Sequence, residues 1–160
     1  MITHKTFYIF AALVLIFWSC SDNSIFKTQR VIDKKGWQIA DTIRFNLPIQ
    51  DASKPYNLLL DLNYKRLYPY QNIFLFVDVE SPDNKTYRDT IECILSTPNG
   101  HSLGKINGEN VKQELVYRYN IKFDLQGTYK ITLQQAMRDS VLPFFNSIGL
   151  KLMPFEPIEQ

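Results

Sequence analysis

The sequence predicts an all-β fold, an antiparallel β-sandwich of about seven or eight strands, with a jelly-roll connection preferred over an immunoglobulin-like one. Short stretches alternate apolar and polar residues with a period of two, the spacing that turns one face of a strand toward a core. Turn-forming clusters separate them: residues 51–55 (DASKP), 81–84 (SPDN), 98–100 (PNG) and Gln126-Gly127. No stretch carries the periodicity of a clear amphipathic helix, and strands spaced in this way point to a sandwich.

Taken in order, residues 41–48 (DTIRFNLP) set Ile43, Phe45 and Leu47 against Thr42, Arg44 and Asn46. Residues 56–63 (YNLLLDLN) place Leu58, Leu60 and Leu62 on one face. Residues 73–79 (IFLFVDV) are apolar on both faces at first, as expected of a central strand. Residues 88–95 (RDTIECIL) turn Ile91, Cys93 and Leu95 inward, so Cys93 reads as a small core residue. Residues 115–123 (LVYRYNIKF) alternate Leu115, Tyr117, Tyr119, Ile121 and Phe123 against Arg118, Asn120 and Lys122. Residues 129–135 (YKITLQQ) repeat the pattern, and Ile148, Leu150 and Leu152 make a last strand. Between these two, residues 135–140 (QAMRDS) can form a short helical turn.

The N-terminus reads as an export signal. His4 and Lys5 precede an apolar run over residues 7–18 (FYIFAALVLIFW), closed by Ser19-Cys20. A bilayer-spanning helix needs roughly 20 apolar residues, so the run suits a signal peptide better than an anchor. A small residue directly before a cysteine is the bacterial lipoprotein arrangement. Residues 1–19 are therefore the expected signal peptide, and Cys20 the expected lipid-attachment residue, carrying a diacylglyceryl group and an N-acyl chain. No other cofactor is expected. Residues 20–35 form the expected lipidated N-terminus and tether, polar in composition, with a reach of roughly 20 Å if flexible. Ile25-Phe26 and Val31-Ile32 can instead pack on the domain. Residues 36–160 form the single sandwich domain.

Composition narrows the function classes. At 160 residues, 45% hydrophobic and 21% charged, the chain is globular, and its formal net charge of +2 gives no footprint for nucleic acid. Once residues 1–19 are removed, His101 is the one histidine and Cys93 the one thiol beside Cys20, which leaves no His/Cys metal set and no intramolecular disulfide. No Gly-x-Ser-x-Gly elbow or phosphate-binding glycine loop occurs; Gly100, Gly104 and Gly108 read as loop geometry. Asp61, Asp78 and Glu80 are the acids that could pair for glycoside hydrolysis or hold calcium, and each also suits a wet sheet face. No catalytic and no metal-binding residue is assigned. Among aromatics, Trp37, Tyr56, Tyr64, Tyr68 and Tyr70 can stack on sugars or anchor a partner, or cap the end of the core.

A family resemblance rests on a series of matched residues: Gly36-Trp37, Asp41-Thr42, Phe45, Pro48-Ile49 and Lys54-Pro55-Tyr56-Asn57-Leu58. It continues through Arg66, Tyr68-Pro69-Tyr70, Asn72-Ile73-Phe74-Leu75, Asp89-Thr90-Ile91-Glu92, Gly127-Thr128-Tyr129 and Gln134-Gln135-Ala136-Met137-Arg138. With these the chain resembles the gliding-motility lipoprotein GldH family, from the signal peptide to Gly149-Leu150. It departs at residues 99–104, where the family carries an aromatic near the Gly-x-x-x-Gly turn. The resemblance implies a non-enzymatic, membrane-anchored accessory of the gliding apparatus, in the cell envelope outside the cytoplasm. Its partners would be the membrane, through the lipid anchor, and other gliding or secretion envelope proteins. Of the matched residues, Trp37, Tyr68, Tyr70, Asn72 and Arg138 are the candidate interaction surface. A carbohydrate- or peptidoglycan-binding envelope module, with the aromatics as platform, is the alternative.

Overall fold

A computed structural model describes residues 22–157; the expected signal peptide and Cys20 lie outside the described residues. Eleven strands and no helix fill this span, all pairings antiparallel. They are β1 (Phe26–Val31), β2 (Trp37–Gln38), β3 (Thr42–Ile49), β4 (Tyr56–Lys65), β5 (Asn72–Glu80), β6 (Thr86–Ile94), β7 (Lys105–Asn107), β8 (Asn110–Ile121), β9 (Gly127–Gln135), β10 (Val141–Leu142) and β11 (Phe145–Pro154). A five-stranded sheet runs β1-β11-β4-β8-β7 and a four-stranded one β3-β9-β5-β6, while β10 and β2 form a small ribbon.

The strand order decides between the two expected topologies. Among the eight long strands, one sheet holds the first, eighth, third and sixth, and the other holds the second, seventh, fourth and fifth. That is the jelly-roll order, in which successive long connections pass from one sheet to the other. An immunoglobulin order would instead keep the first two strands in one sheet. Inward residues of both sheets meet in one core: Leu58, Leu60 and Leu62 of β4 and Ile148 and Leu150 of β11 face Phe45, Leu47, Leu75, Ile131 and Leu133. Each such side chain contributes about 1.5–3 kcal/mol on burial, and with no disulfide among the described residues the core carries the fold.

Four expectations change. The stretch expected to be tether contains β1, hydrogen-bonded along β11 from Phe26↔Leu152 to Val31↔Ser147. Its inward residues pack lightly, which is why the alternation is faint in the sequence: Phe26, Thr28 and Arg30 share that side. Residues 136–140 form bends and no helical turn, because the side chain of Gln135 holds the loop from within. β8 begins at Asn110, earlier than expected, since its inward positions include the polar Gln113. Tyr119 faces solvent at 61% exposure, not the core. Two register shifts around Leu58 each put an extra residue into β8, and Asn120 takes φ 51° with its N–H donated to Asn57 Oδ1 at 2.9 Å. The first shift changes the phase, so that Tyr119 emerges outward, and the second restores it, so that Ile121 and Phe123 return to the core.

Candidate functional site

Two surface regions gather the chemistry-bearing residues. One is the outer face of the five-stranded sheet, where strand register lines up rows of side chains. Lys27, Lys151, Leu59 and Val116 form one row, and Gln29, Gly149, Asp61 and Glu114 the next toward the β1 C-terminus. Gly149 is the floor: a Cβ there would lie 2.9 Å from the Thr28 carbonyl oxygen and 3.1 Å from Asp61 Cβ. Beyond it a shallow groove of about 610 Å³ runs over Asn63, Ser147, Lys105 and Lys112.

Charges on this face are coupled. Lys151, its side chain 8% exposed, donates to Glu114 at 3.2 Å and pairs with Asp22 at 3.1 Å, and Asp22 also accepts from Lys27 at 3.0 Å. Burial alone would depress the Lys151 ammonium, but the hydrogen bonds to Asp22 and Glu114 outweigh it and hold the pKa above the usual lysine value. Asp22 is held well below the carboxylate range by the hydrogen bonds from Lys27 and Lys151. Asp61 moves the other way, raised by burial and then by the charge of Glu114 directly opposite it on β8. Sequence reading missed this Asp61–Glu114 pair, because only the β4–β8 register brings the two together.

Of the three acids that could have paired, Asp78 and Glu80 share the outer face of β5 and Asp61 lies on the other sheet. Asp78 takes both oxygens to Arg88, at 2.6 and 2.7 Å, and Glu80 accepts from Lys130 at 2.7 Å. These pairs lie on the outer face of the four-stranded sheet, away from Asp61. Cys93 is buried as expected, and burial pushes its thiol up to about 11. His101 lies in an exposed loop.

The second region is the end of the sandwich where β4 and β9 finish. Tyr64, Tyr68 and Phe145 pack there, Tyr68 meeting the other two edge to face, with Tyr68 and Phe145 centroids 4.9 Å apart and Trp37 6.2 Å from Phe145. Trp37 is 1% exposed and donates its indole N–H to the Asp41 carbonyl at 3.0 Å; Tyr68 is 8% exposed and donates to the Asn72 carbonyl at 3.1 Å. Both were candidates for an interaction surface, with capping of the core as the other reading, and both are core, because an aromatic with one polar tip fits a sandwich end where a carbonyl can accept. Tyr56 and Tyr64 are buried too, so of the aromatics named for the glycan-binding alternative Tyr70 alone is exposed.

The remaining candidates stay accessible. Tyr70 rests on Tyr68 at 5.6 Å and donates to Asp139 Oδ2 at 2.5 Å, Asn72 donates to Glu92, and Arg138 is exposed beside Asp139. Gln135, fully buried, donates to the Asp139 carbonyl and accepts from the Met137 N–H, both at 2.9 Å. The Tyr-Pro-Tyr and Gln-Ala-Met-Arg runs thus meet at one end of the molecule. Leu67 and Phe144 join them as exposed apolar residues that the sequence reading did not single out; Phe144 takes φ 70°, unusual for an aromatic.

Residues 24–152 match the family model described as GldH lipoprotein. The chain belongs to the GldH lipoprotein family. It is 33% identical over 131 residues to the gliding motility lipoprotein GldH homolog of Christiangramia forsetii, covering 82% of this chain and 80% of that protein. Against the gliding motility lipoprotein GldH of Flavobacterium johnsoniae it is 33% identical over 129 residues, covering 81% and 79%. Among solved structures, a family GH115 4-O-methyl-α-glucuronidase superposes with TM-score 0.45 at 8% identity, covering 86% of this chain and 18% of that one. The GldH match takes in β1 and both motif runs of the aromatic end.

Proposed function

We propose that this protein is a non-enzymatic lipoprotein component of the bacterial gliding-motility apparatus. In this reading residues 1–19 export the chain, and Cys20 carries the diacylglyceryl and N-acyl groups that hold it in the cell envelope. The observation that carries the reading is the family match over residues 24–152, shared with relatives named for gliding motility. A role through surface contacts is supported by the fate of the acids: Asp78 and Glu80 are committed to Arg88 and Lys130, and Glu114 to Lys151. The partner surface for other gliding or secretion proteins is the end that displays Tyr70, Arg138, Leu67 and Phe144. Deleting the gene should abolish spreading on agar, and crosslinking in intact cells through a photoreactive residue at position 138 should capture envelope proteins. Normal spreading of a clean deletion in a gliding host would contradict the role.

A further inference from the structure

The way the chain enters the domain sets how the domain sits on its membrane, given the Cys20 anchor proposed above. Asp22 lies only two residues after Cys20, and it is already tied down by Lys27 and Lys151 on the outer face of the five-stranded sheet. Ser24 N–H donates to Asp22 Oδ1, folding the entering chain back over that face, and Ile25 N–H bonds the Leu152 carbonyl. Two residues of chain span at most about 7 Å, against roughly 20 Å for the fifteen-residue flexible tether expected from composition. The headgroup layer on each side of a bilayer is itself about 5–8 Å deep. A lipid-bearing Cys20 therefore brings this face to the headgroups and leaves no room for the domain to stand away.

The surface at the point of entry suits that contact. Beside the Lys27–Lys151 row lie Val116 at 58% exposure, Tyr119 at 61% and Ile25 at 51%, with Tyr119 stacked edge-on against Phe155 at 5.2 Å. Exposed aliphatic and aromatic groups next to lysines are the mixture found at membrane–water interfaces, where rings enter the headgroup layer and ammonium groups meet phosphates. Charge alone would not select this face, since Lys27, Lys105, Lys112 and Lys151 are opposed by Asp22, Asp61 and Glu114. The short entry and the apolar row together select it.

We infer that the outer face of the five-stranded sheet, at Ile25, Val116, Tyr119 and Phe155, docks onto the lipid headgroups of the membrane that holds Cys20. Lys151 and Phe145 are six residues apart on β11, about 20 Å of strand, so the Tyr70–Arg138 end stands at that remove from the anchor. The outer face of the four-stranded sheet, with Thr132 at its centre, points away from the bilayer.

The test uses the lipidated chain, purified from membranes and reconstituted into vesicles of phosphatidylethanolamine and phosphatidylglycerol with a headgroup spin-labelled lipid. Fluorophores are placed at Val116→Cys, Tyr119→Cys, Thr132→Cys and Arg138→Cys; the buried Cys93 does not compete for label. Quenching at least threefold stronger at 116 and 119 than at 132 and 138 is expected. Equal quenching at all four, or stronger quenching at 132, overturns the orientation. Tyr119→Cys serves if Val116→Cys fails to fold. Mass spectrometry of the Cys20 peptide separates the two readings: lipid present with no preference sinks the docking face alone, whereas lipid absent sinks the anchor and the orientation with it.

Discussion

Lys151 bridges Asp22 and Glu114, at 3.1 and 3.2 Å, and so joins the first described residue of the chain to the middle of the five-stranded sheet. It does this while nearly buried between β1 and β4, where Gly149 leaves room for the backbones of three strands to close up. A stretch that composition alone would leave as a tether is thereby made part of the domain.

The acids of this face give stability of opposite sign with pH. Asp22 has a folded pKa below its unfolded value, so its contribution is present above about pH 4 and is lost as pH falls from there. Asp61 has a folded pKa above its unfolded value, so its ionisation weakens the fold as pH rises from about 4 through the folded pKa. Asp61→Asn should therefore melt higher than the wild type at pH 7, and the gap should close as the pH approaches 4. Thermal unfolding across pH 3.5–7.5 checks this; a gap that widens on acidification would contradict it.

Gln135→Leu should destabilise the domain by about 2–3 kcal/mol, roughly 5–10 °C in melting temperature, since the Met137 N–H and the Asp139 carbonyl lose their partner. Chemical denaturation of a soluble Cys20→Ala chain lacking residues 1–19 provides the measurement. A loss below about 0.5 kcal/mol, the level of an ordinary surface substitution, would mean that the loop does not depend on Gln135.

Cys93, with its thiol pushed up to about 11 and 4% exposed, should resist alkylation in the native state. In the same soluble chain its modification at pH 8 should follow global unfolding and accelerate with denaturant. Rapid modification in buffer alone would show that β6 opens locally.

Arg138→Glu should leave stability within about 0.5 kcal/mol, because the side chain is exposed, yet it should impair spreading by reversing charge on the proposed partner surface. Unfolding curves and colony spreading of the complemented deletion give the two readouts. Full spreading would move the partner surface away from this end.

Much of the fold was legible because β3, β4 and β9 each turn one mainly apolar face to the core, and alternation reports that directly. β5 was expected to be central from its apolar run, and it does lie between β9 and β6. Phe74 and Phe76 nevertheless point outward, and Arg88 covers Phe76 at 5.4 Å. β1 escaped notice because an edge strand with Thr28 and Arg30 on its inner side has little alternation to read. Tyr119 was misplaced because a bulge changes the phase of a strand without marking the sequence. The partition of strands between two sheets, and with it the Asp61–Glu114 pair, is set by long-range pairing that local pattern does not encode. At the aromatic end the residue types were legible and their burial was not: Trp37 and Tyr68 satisfy their polar tips on carbonyls, while Tyr70 and Arg138 remain outside.

The most direct test of a lipid-anchored gliding component is complementation of the gene deletion with wild-type and Cys20→Ala chains expressed at equal levels, scored for spreading and for membrane fractionation. The wild type should restore spreading and fractionate with membranes, while Cys20→Ala should do neither. Full spreading restored by a Cys20→Ala chain that is absent from the membrane fraction would contradict the account.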